Sequence, residues 1–223
     1  MKSRRERRRY DGVKRGLDVF GAVVGLIVLS PALAVVAVLV LMKLGRPVLF
    51  KQERPGKDGQ IFQMYKFRSM KNVDVAHDLN TDAQRLTAFG RKLRSTSIDE
   101  LPTLVNVLKG DMSLVGPRPL LVKYLDRYTA EQARRHEVRP GVTGLAQVMG
   151  RNSLSWGEKL ALDVQYVQGR SFVLDAKILW LTVGSTIRRQ GISAAGEATM
   201  TEFTGEQDPA TSVAVVKHSG DNA

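Results

Sequence analysis

The sequence predicts a mostly helical α+β protein that enters a membrane near its N-terminus, on the basis of three observations. Residues 19–42 form an uninterrupted run of 24 uncharged residues, which is long enough for a membrane helix. Later segments carry helix start and stop signals, whereas residues 47–70 alternate β-like segments with turn residues. The formal net charge of +12, from 34 Lys and Arg against 22 Asp and Glu, points to an anionic partner.

The composition excludes several kinds of chemistry. The chain contains no cysteine, so it has no disulfide framework, thiolate nucleophile, zinc finger or iron–sulfur site. Its three histidines fit no metal-ligand spacing, and the P-loop, G-x-G-x-x-G, G-x-S-x-G and H-E-x-x-H motifs are missing from the sequence. These absences exclude most of the familiar nucleotide-binding and hydrolase designs.

The apolar run has basic residues on both flanks, whereas a simple membrane span concentrates them on the cytoplasmic side. Ser30-Pro31 lies at its centre, and a proline interrupts helical hydrogen bonding. Each half has 11 residues and is about 16 Å long, roughly half of the ~30 Å hydrocarbon core. We therefore predict a re-entrant helix–break–helix, in which the Ser30 hydroxyl bonds a carbonyl freed by Pro31. A tilted, kinked span is the alternative.

We divide the chain into four parts: a basic segment at residues 1–18, the membrane hairpin at 19–42, a cytoplasmic domain at 43–205 and a disordered tail at 206–223. The arginine-rich residues 4–9 are interpreted as contacts to anionic lipid headgroups, each basic residue contributing about 1 kcal/mol. A solvated tail and a nucleic-acid arm are the alternatives.

The cytoplasmic domain begins with a predicted β-hairpin, in which VLFKQ and IFQMYKFRSM flank the turn residues of RPGKDGQ. EVRPGVTGLAQVMGRN is predicted to form a loop and a short strand. The last predicted helix suits either core packing or a membrane interface. The predicted helices are AQRLTAFGRKL, SIDELPTLVNVLKG, KYLDRYTAEQARRH, SWGEKLALDVQYVQG and SFVLDAKILWLTVGSTIRRQ.

An acidic pair surrounded by basic residues is the main chemical feature of the sequence. Asp99 and Glu100 are adjacent, so on a helix one can attack a phosphorus while the other holds a divalent cation. The alternative is a capping box, because Ser97 and Glu100 match S-x-x-E. Pro102 should distort such a helix just beyond its first turn. The basic residues are Lys66, Arg68, Arg91, Lys92, Arg94, Lys109, Arg118, Arg139 and Arg151.

Arg118 lies between two prolines, which restrict the backbone and suit a phosphate-binding guanidinium, although a simple tight turn explains the motif equally well. Arg139 and Arg151 lie beside proline or glycine in similar settings. Asp163, among apolar helix residues, is by itself more typical of a helix-surface acid than of a metal ligand.

Five segments in this order resemble one family: KRGLDVFGAVVGLIVLSPALAV, RPGKDGQIFQMYKFRSM, SIDELPTLVNVLKGDMSLVGPRPLL, VRPGVTGLAQVMGRN and LDVQYV. They are similar to the monotopic phosphoglycosyl transferases, bacterial sugar transferases that begin lipid-linked glycan synthesis, in their small PglC-type form. The resemblance covers residues 14–203, and Ser30-Pro31 matches the break of the family's re-entrant helix.

The resemblance implies that a sugar-1-phosphate moves from a UDP-sugar to undecaprenyl phosphate. Asp99 would attack the β-phosphorus and release UMP, and with an ordinary pKa of about 3.9 it would already be ionised at neutral pH. Glu100 would bind Mg²⁺. Lys66, Arg94 and Arg118 would hold phosphate groups, with Arg68, Arg139, Arg151 and Asp163 as further substrate-binding candidates.

The expected location is the cytoplasmic face of the bacterial inner membrane, with monotopic attachment. The resemblance favours a UDP-linked N-acetylated or modified amino sugar. No nucleic-acid partner is expected, because the basic residues lack interleaved aromatics. The alternative function is a non-enzymatic, membrane-anchored scaffold that binds anionic lipid.

Overall fold

The computed structural model of the chain describes residues 4–74, 79–150, 154–188 and 202–205. Helices dominate these residues, and the strands form two small two-stranded sheets, which confirms the predicted α+β class. In chain order the elements are α1 (Arg4–Leu44), β1 (Leu49–Pro55), β2 (Ile61–Phe67), α2 (Asp82–Arg85), α3 (Ala88–Ser95), α4 (Thr103–Lys109), β3 (Ser113–Val115), α5 (Ala130–Ala133), β4 (Gly141–Thr143), α6 (Leu145–Met149), α7 (Trp156–Gly169) and α8 (Phe172–Arg188), with short 3-10 helices at Lys57–Gly59, Ile98–Glu100, Val122–Arg127 and Arg134–Glu137.

Helix α1 contains both halves of the apolar run in one helical element, with Pro31 inside it. The Ser30 hydroxyl donates to the carbonyl of Ile27 at 2.8 Å. Ile27 lies four residues before Pro31, so its carbonyl is the one that the proline leaves without an amide donor. The predicted hydrogen bond of Ser30 is therefore confirmed. The helical assignment continues through Ser30-Pro31, and the re-entrant path stays a prediction.

One face of α1 packs against the rest of the protein along both halves. Ala22 joins the core cluster between β2 and α4, and Val40 joins the cluster between β2 and α3. The opposite face is apolar and exposed, with Phe20 at 69 % and Met42 at 77 % of full exposure. Within the described residues, α1 is the one helix long and apolar enough to cross a membrane. An exposed apolar face of this kind marks a site of contact with a membrane or with another protein.

Both ends of α1 are fixed to the same folded body. Near the N-terminus, Tyr10 Oη donates to Asp175 Oδ2 at 2.6 Å, and Lys14 Nζ donates to the same oxygen at 2.9 Å. At the other end, the Arg68 guanidinium donates to the carbonyl of Leu44 and, at 2.7 Å, to that of Arg46. Helix α1 therefore lies along the body instead of projecting away from it.

Strands β1 and β2 form the predicted antiparallel hairpin, in which Phe50 lies opposite Lys66. Successive side chains of a strand point to opposite faces, so Gln52 and Arg54 share the face of Lys66. This inner face lines the central cleft of the protein.

Three of the predicted helices are divided in the structure, two of them at a threonine. Residues 82–95 form α2 and α3, because the hydroxyls of Thr81 and Thr87 each accept a backbone amide and begin a helix. Residues 122–137 form α5 between two 3-10 helices, because Thr129 begins α5 with a capping box.

The predicted helix over SIDELPTLVNVLKG is also divided, as its proline indicates. Pro102 separates the 3-10 helix Ile98–Glu100 from α4, and Gly110, with a φ of 93°, ends α4. Strands β3 and β4 then pair in parallel, which confirms the predicted short strand. The last two predicted helices are confirmed as α7 and α8.

Helix α8 is amphipathic. Ile178 is fully buried against α7 and β3, whereas Val173 and Trp180 are about four-fifths exposed. Tyr10 of α1 packs on Phe172 at the start of α8, with ring centroids 4.9 Å apart. The N-terminal part of α1 and the start of α8 thus lie side by side.

A short segment near the C-terminus packs against the body. Glu202 pairs with Lys123 at 2.6 Å and Arg127 at 2.8 Å, and Phe203 is buried against Tyr124 and Trp156. The predicted tail at 206–223 lies outside the described residues.

Candidate active site

The acidic pair lies in the 3-10 helix Ile98–Glu100, directly before α4. Ser97 adopts the left-handed conformation, with φ 56°, and its side chain caps no backbone amide. The predicted capping box is therefore wrong: the chain turns at Ser97, and α4 begins only after Pro102. In a 3-10 helix adjacent side chains point about 120° apart, so the two carboxylates face different surroundings.

Glu100 is held by two cations. Its Oε1 accepts from Lys66 Nζ at 2.8 Å and from Arg118 Nη2, and its Oε2 accepts from Arg118 Nη1 at 3.0 Å. Burial alone would raise the pKa of Glu100, but Arg118 and Lys66 together lower it well below its usual range. Glu100 is therefore a fixed anion that positions a lysine and an arginine.

Asp99 has different surroundings from its neighbour. Its residue is 8 % exposed, and no hydrogen bond or ion pair joins its carboxylate to another described residue. Burial and then the charge of Glu100 raise its pKa to about 6, against the opposing charges of Lys66, Arg118 and Arg94. The expected ordinary pKa is thus corrected upward. At neutral pH Asp99 is still mainly ionised, and it is free to react.

Close packing of α3 positions Arg94. A side chain on Gly90 would overlap the backbone carbonyl of Ser69, so only glycine lets α3 approach this segment. One turn later, Arg94 Nε donates to Ser69 Oγ at 2.9 Å. Arg94 is thereby held where its charge acts on Asp99.

Arg118 is positioned through its backbone. A side chain on Gly116 would overlap the carbonyl of Arg139, so β3 and the loop that follows pack tightly against β4. The carbonyl of Arg118 accepts from Arg135 Nη2 at 2.5 Å. Arg135 also pairs with Asp163 Oδ2, at 2.7 Å through Nη2 and 3.1 Å through Nε. The Arg135–Asp163 pair thus fixes the backbone of the Gly-Pro-Arg-Pro loop.

The sequence context of Asp163 by itself predicted a helix-surface acid, and the structure shows that this prediction is wrong. Asp163 is 4 % and Arg135 2 % exposed, so this ion pair is buried at the edge of the cleft. Arg135 was missed at the sequence level. Its neighbour Arg134 pairs with Glu131 and Glu137 on the surface, and nothing in the local sequence separates the two arginines.

Two further substrate-binding candidates bond backbone carbonyls in the structure. Arg68 lies at the edge of the cleft, where its guanidinium bonds the carbonyls at the end of α1 and, at 2.8 Å, Asn72 Oδ1. Arg139 Nε donates to the carbonyl of Gly110 at 2.8 Å, at the C-terminal end of α4. Both arginines satisfy backbone carbonyls at helix ends. Arg151 lies outside the described residues.

An open cleft of about 1950 Å³ contains the acidic pair, Lys66, Arg94 and Arg118. One wall is aromatic and aliphatic, with Tyr124 and Trp156. Another part, beside the end of α1, includes the exposed residue Phe50. The cleft therefore combines a charged centre with apolar walls, a composition suited to a phosphorylated ligand that carries organic groups.

Comparison with known proteins identifies the family. The family model "Bacterial sugar transferase" matches residues 9–189. The chain is 51 % identical over 197 residues to the uncharacterized sugar transferase EpsL of Bacillus subtilis (strain 168), which covers 88 % of this chain and 98 % of that protein.

Two other relatives have more specific names. The UDP-glucose:undecaprenyl-phosphate glucose-1-phosphate transferase of Caulobacter vibrioides is 42 % identical over 186 residues, 78 % of this chain and 69 % of that protein. The UDP-N-acetylgalactosamine-undecaprenyl-phosphate N-acetylgalactosaminephosphotransferase of Aeromonas hydrophila is 38 % identical over 183 residues, 78 % of this chain but 43 % of that protein. The acidic pair, its basic neighbours and the N-terminal apolar helix thus occur in a chain that belongs to the bacterial sugar transferase family.

Proposed function

We propose that this protein transfers a sugar-1-phosphate from a UDP-sugar to undecaprenyl phosphate through a phosphosugar bound covalently to Asp99. The observation that carries the proposal is the contrast within the acidic pair. Glu100 is held by Lys66 and Arg118, while Asp99 is buried, mainly ionised and without a partner among the described residues. The family and the named activities of the relatives support the same reaction.

The transfer takes place in two displacements at one phosphorus. An Asp99 oxygen attacks the β-phosphorus, and the bond from this phosphorus to the bridging oxygen breaks, so UMP leaves with both bonding electrons. A phosphate oxygen of undecaprenyl phosphate then attacks the same phosphorus, which breaks its bond to Asp99. The products are undecaprenyl-diphospho-sugar and the restored carboxylate. No general base is needed, because both nucleophiles are already anionic.

The basic residues act by position and charge. Phosphoryl transfer is accelerated mainly by groups that neutralise the phosphate oxygens and orient the reactants. The charges of Lys66, Arg118 and Arg94 all act on Asp99, and Glu100 also holds Lys66 and Arg118 in place. The Arg135–Asp163 pair holds the backbone of Arg118. We assign phosphate contacts to Lys66, Arg94 and Arg118.

The donor set fits a magnesium ion that arrives with the diphosphate. The described residues contain no cluster of three or more metal-ligating side chains. Mg²⁺ nevertheless often takes only one or two carboxylates and completes its shell with substrate phosphates and water. Glu100 Oε2 accepts one hydrogen bond, so it keeps a lone pair for a metal. Glu100 would hold the ion, which supplies positive charge to the phosphate oxygens.

We further propose that α1 enters and leaves the membrane on its cytoplasmic face, which in bacteria is that of the inner membrane. One folded body holds Tyr10 near one end of α1 and Leu44 at the other. A body that lies on one side of a bilayer cannot hold both ends of a helix that crosses it. The exposed apolar faces of α1 and α8 support shallow insertion, which keeps the cleft near the lipid phosphates.

A topology experiment tests this placement. The chain has no cysteine, so Arg5→Cys and Lys57→Cys each introduce a unique label site. We expect both cysteines to be protected from a membrane-impermeant maleimide in intact cells and labelled after lysis. Labelling of only one of them in intact cells would indicate a span.

A UMP-release assay tests the reaction. The full-length protein in lipid nanodiscs, with undecaprenyl phosphate and Mg²⁺, should release UMP from at least one member of a UDP-sugar panel. The panel includes UDP-glucose, UDP-galactose and UDP-N-acetylated amino sugars. We propose that the substrate is one of the amino sugars. Without the lipid, mass spectrometry should find a phosphosugar adduct on Asp99. No release from any UDP-sugar would favour a lipid-binding scaffold instead.

A further inference from the structure

Arg54 is a cation of the cleft with no part in the transfer steps above. It lies on the inner face of β1, on the same side of the hairpin as Lys66. Its side chain lines the cleft, and its charged neighbours are Arg118 and Glu100. Arg54 thus faces the substrate space from the hairpin, opposite the loop that carries Arg118.

The Arg54 guanidinium is only partly satisfied. Its Nη2 donates to Gln52 Oε1 at 2.5 Å, and its Nη1 lies 3.5 Å from the carbonyl of Pro119, at the outer limit of a hydrogen bond. Its Nε is buried without a hydrogen-bond partner in the part of the chain that the structure describes. Buried donors are usually satisfied, so this group has unused capacity to bind an acceptor.

The charge of Arg54 is also without a partner of its own. Glu100 is already shared by Lys66 and Arg118, and within the described ranges no carboxylate lies in ion-pair contact with Arg54. Burial, followed by the charge of Arg118, lowers the pKa of Arg54 to about 10, although Glu100 opposes this shift. Arg54, Arg118 and Lys66 thus share one bonded carboxylate, that of Glu100, and this excess of positive charge favours the binding of an anion.

Position indicates which phosphate Arg54 reaches. Arg118 bonds Glu100, the chain neighbour of Asp99, whereas Arg54 bonds neither acid and reaches the Arg118 loop only at the carbonyl of Pro119. In this series of contacts, Arg54 comes after Arg118 as seen from the nucleophile. In a UDP-sugar, the α-phosphorus likewise lies one bridging oxygen beyond the attacked β-phosphorus.

We propose that Arg54 binds the α-phosphate of the nucleoside-diphosphate sugar as the partner of Arg118. The inference rests on the proposed function and adds a substrate-binding residue to it. A planar guanidinium with free donors binds phosphate oxygens in a fork, which suits the unused donors of Arg54. The same contact holds the leaving UMP after the first displacement, since UMP keeps the α-phosphate.

Affinity measurements on the full-length protein in nanodiscs test this assignment. Arg54→Gln should weaken UMP binding by about 10- to 100-fold, the range for a lost charged hydrogen bond. Uridine, which lacks the phosphate, should change by less than about 3-fold. Arg54→Lys keeps the charge without the fork and should give an intermediate loss. The KM for undecaprenyl phosphate should stay unchanged. Lys57→Gln, the same charge removal on the exposed turn of this hairpin, is the matched control.

Each outcome has a distinct meaning. Equal losses for UMP and uridine would make Arg54 a structural support of the loop at Pro119 and would overturn the assignment. A raised KM for undecaprenyl phosphate with unchanged UMP affinity would assign Arg54 to the lipid phosphate and would also overturn it. If Arg54→Gln does not fold, the UMP-to-uridine ratio of Arg54→Lys decides. If the wild type itself releases no UMP from any UDP-sugar, the proposed function fails, whatever the variants show.

Discussion

The cleft that contains the acidic pair and the junction between α1 and α8 each bury an acid, but in opposite surroundings. At the junction, Asp175 accepts hydrogen bonds from Tyr10 at 2.6 Å, Lys14 at 2.9 Å and Tyr166 at 2.8 Å. In the cleft, Asp99 is equally buried, yet no described residue bonds its carboxylate. Asp175 at the junction thus has three hydrogen-bond donors, whereas Asp99 in the cleft has none among the described residues.

This difference separates stability from reactivity within one small protein. A buried acid with three donors holds its own element to those that supply the donors, and here Asp175 holds α8 to α1 and α7. A buried acid without donors destabilises the fold but needs to lose no hydrogen bond before it attacks a substrate. The junction thus holds the membrane helix on the body, and the cleft keeps one carboxylate available.

The largest expected effect comes from Asp99→Asn. Loss of the nucleophile should reduce UMP release by at least about 1000-fold. The same variant should be more stable than the wild type at pH 8, by about 1–3 kcal/mol, because it removes a buried carboxylate whose pKa is raised to about 6. Thermal unfolding in nanodiscs measures the second effect.

The pH dependence provides the control for this stability gain. A raised pKa means that the fold favours protonated Asp99, so its contribution is present below the unfolded pKa of about 4 and is lost as pH rises through about 6. The two proteins should therefore differ in stability at pH 8 and converge near pH 4. A variant with wild-type UMP release would exclude Asp99 as the nucleophile.

Asp163→Asn should have the next largest effect, on stability and catalysis together. It leaves Arg135 buried without its carboxylate, which typically costs about 3–5 kcal/mol. The backbone of Arg118 also loses its fixed donor, so kcat should fall more than substrate affinity does. Arg134→Gln, which removes two surface ion pairs one residue away, should change stability much less. Equal losses in both variants would contradict a positioning function for Arg135.

Asp175→Asn tests the junction itself. Asparagine keeps one acceptor oxygen and replaces the other with an NH₂ group, so at least one of the three donors loses its acceptor and Lys14 loses its counter-charge. We expect a loss of about 2–4 kcal/mol in the free energy of unfolding. UMP release per folded molecule should remain close to that of the wild type. Asp11→Asn is the matched control, since Asp11 pairs with Arg170 at 3.2 Å from a half-exposed side chain. If Asp175→Asn lost activity without losing stability, the separation of the two regions would be wrong.

Much of the fold and the centre of the site could be predicted from the sequence. The hairpin, the separation of Asp-Glu from α4 by Pro102 and the hydrogen bond of Ser30 follow from local rules about turns, proline and hydroxyls. The divided helices were also predictable in principle, because Thr81 and Thr129 each have a glutamine three residues later, as in a capping box.

The destinations of the arginines could not be predicted. Arg68 and Arg139 carry the same charge as Arg118, but the fold brings them to unsatisfied carbonyls at the ends of α1 and α4. Arg135 lies beside Arg134 in the sequence, but it is buried against Asp163, whereas Arg134 pairs with two surface glutamates. The sequence gives the charge of each arginine. Which carbonyl or carboxylate its guanidinium binds depends on how the chain packs.

The smallest expected effect is the pH dependence of the first displacement. With a pKa of about 6 for Asp99, the ionised fraction falls about 4-fold between pH 7.5 and pH 5.5, and the rate should fall by the same factor. The measurement is the burst of UMP without undecaprenyl phosphate, since the lipid phosphate has an ionisation of its own in this range. The diphosphate of the UDP-sugar does not, so it leaves the burst unaffected.

Arg94→Gln sharpens the pH measurement. Arg94 lowers the pKa of Asp99 against the stronger effect of burial, so its removal should move the midpoint of the burst rate to higher pH. A loss of rate at every pH without a shift would instead mean that Arg94 contacts only the substrate. A wild-type rate that stays constant down to pH 4.5 would mean that Asp99 is paired in solution. In that case Asp99 would have hydrogen-bond donors as Asp175 does, and the contrast between the two regions would not exist.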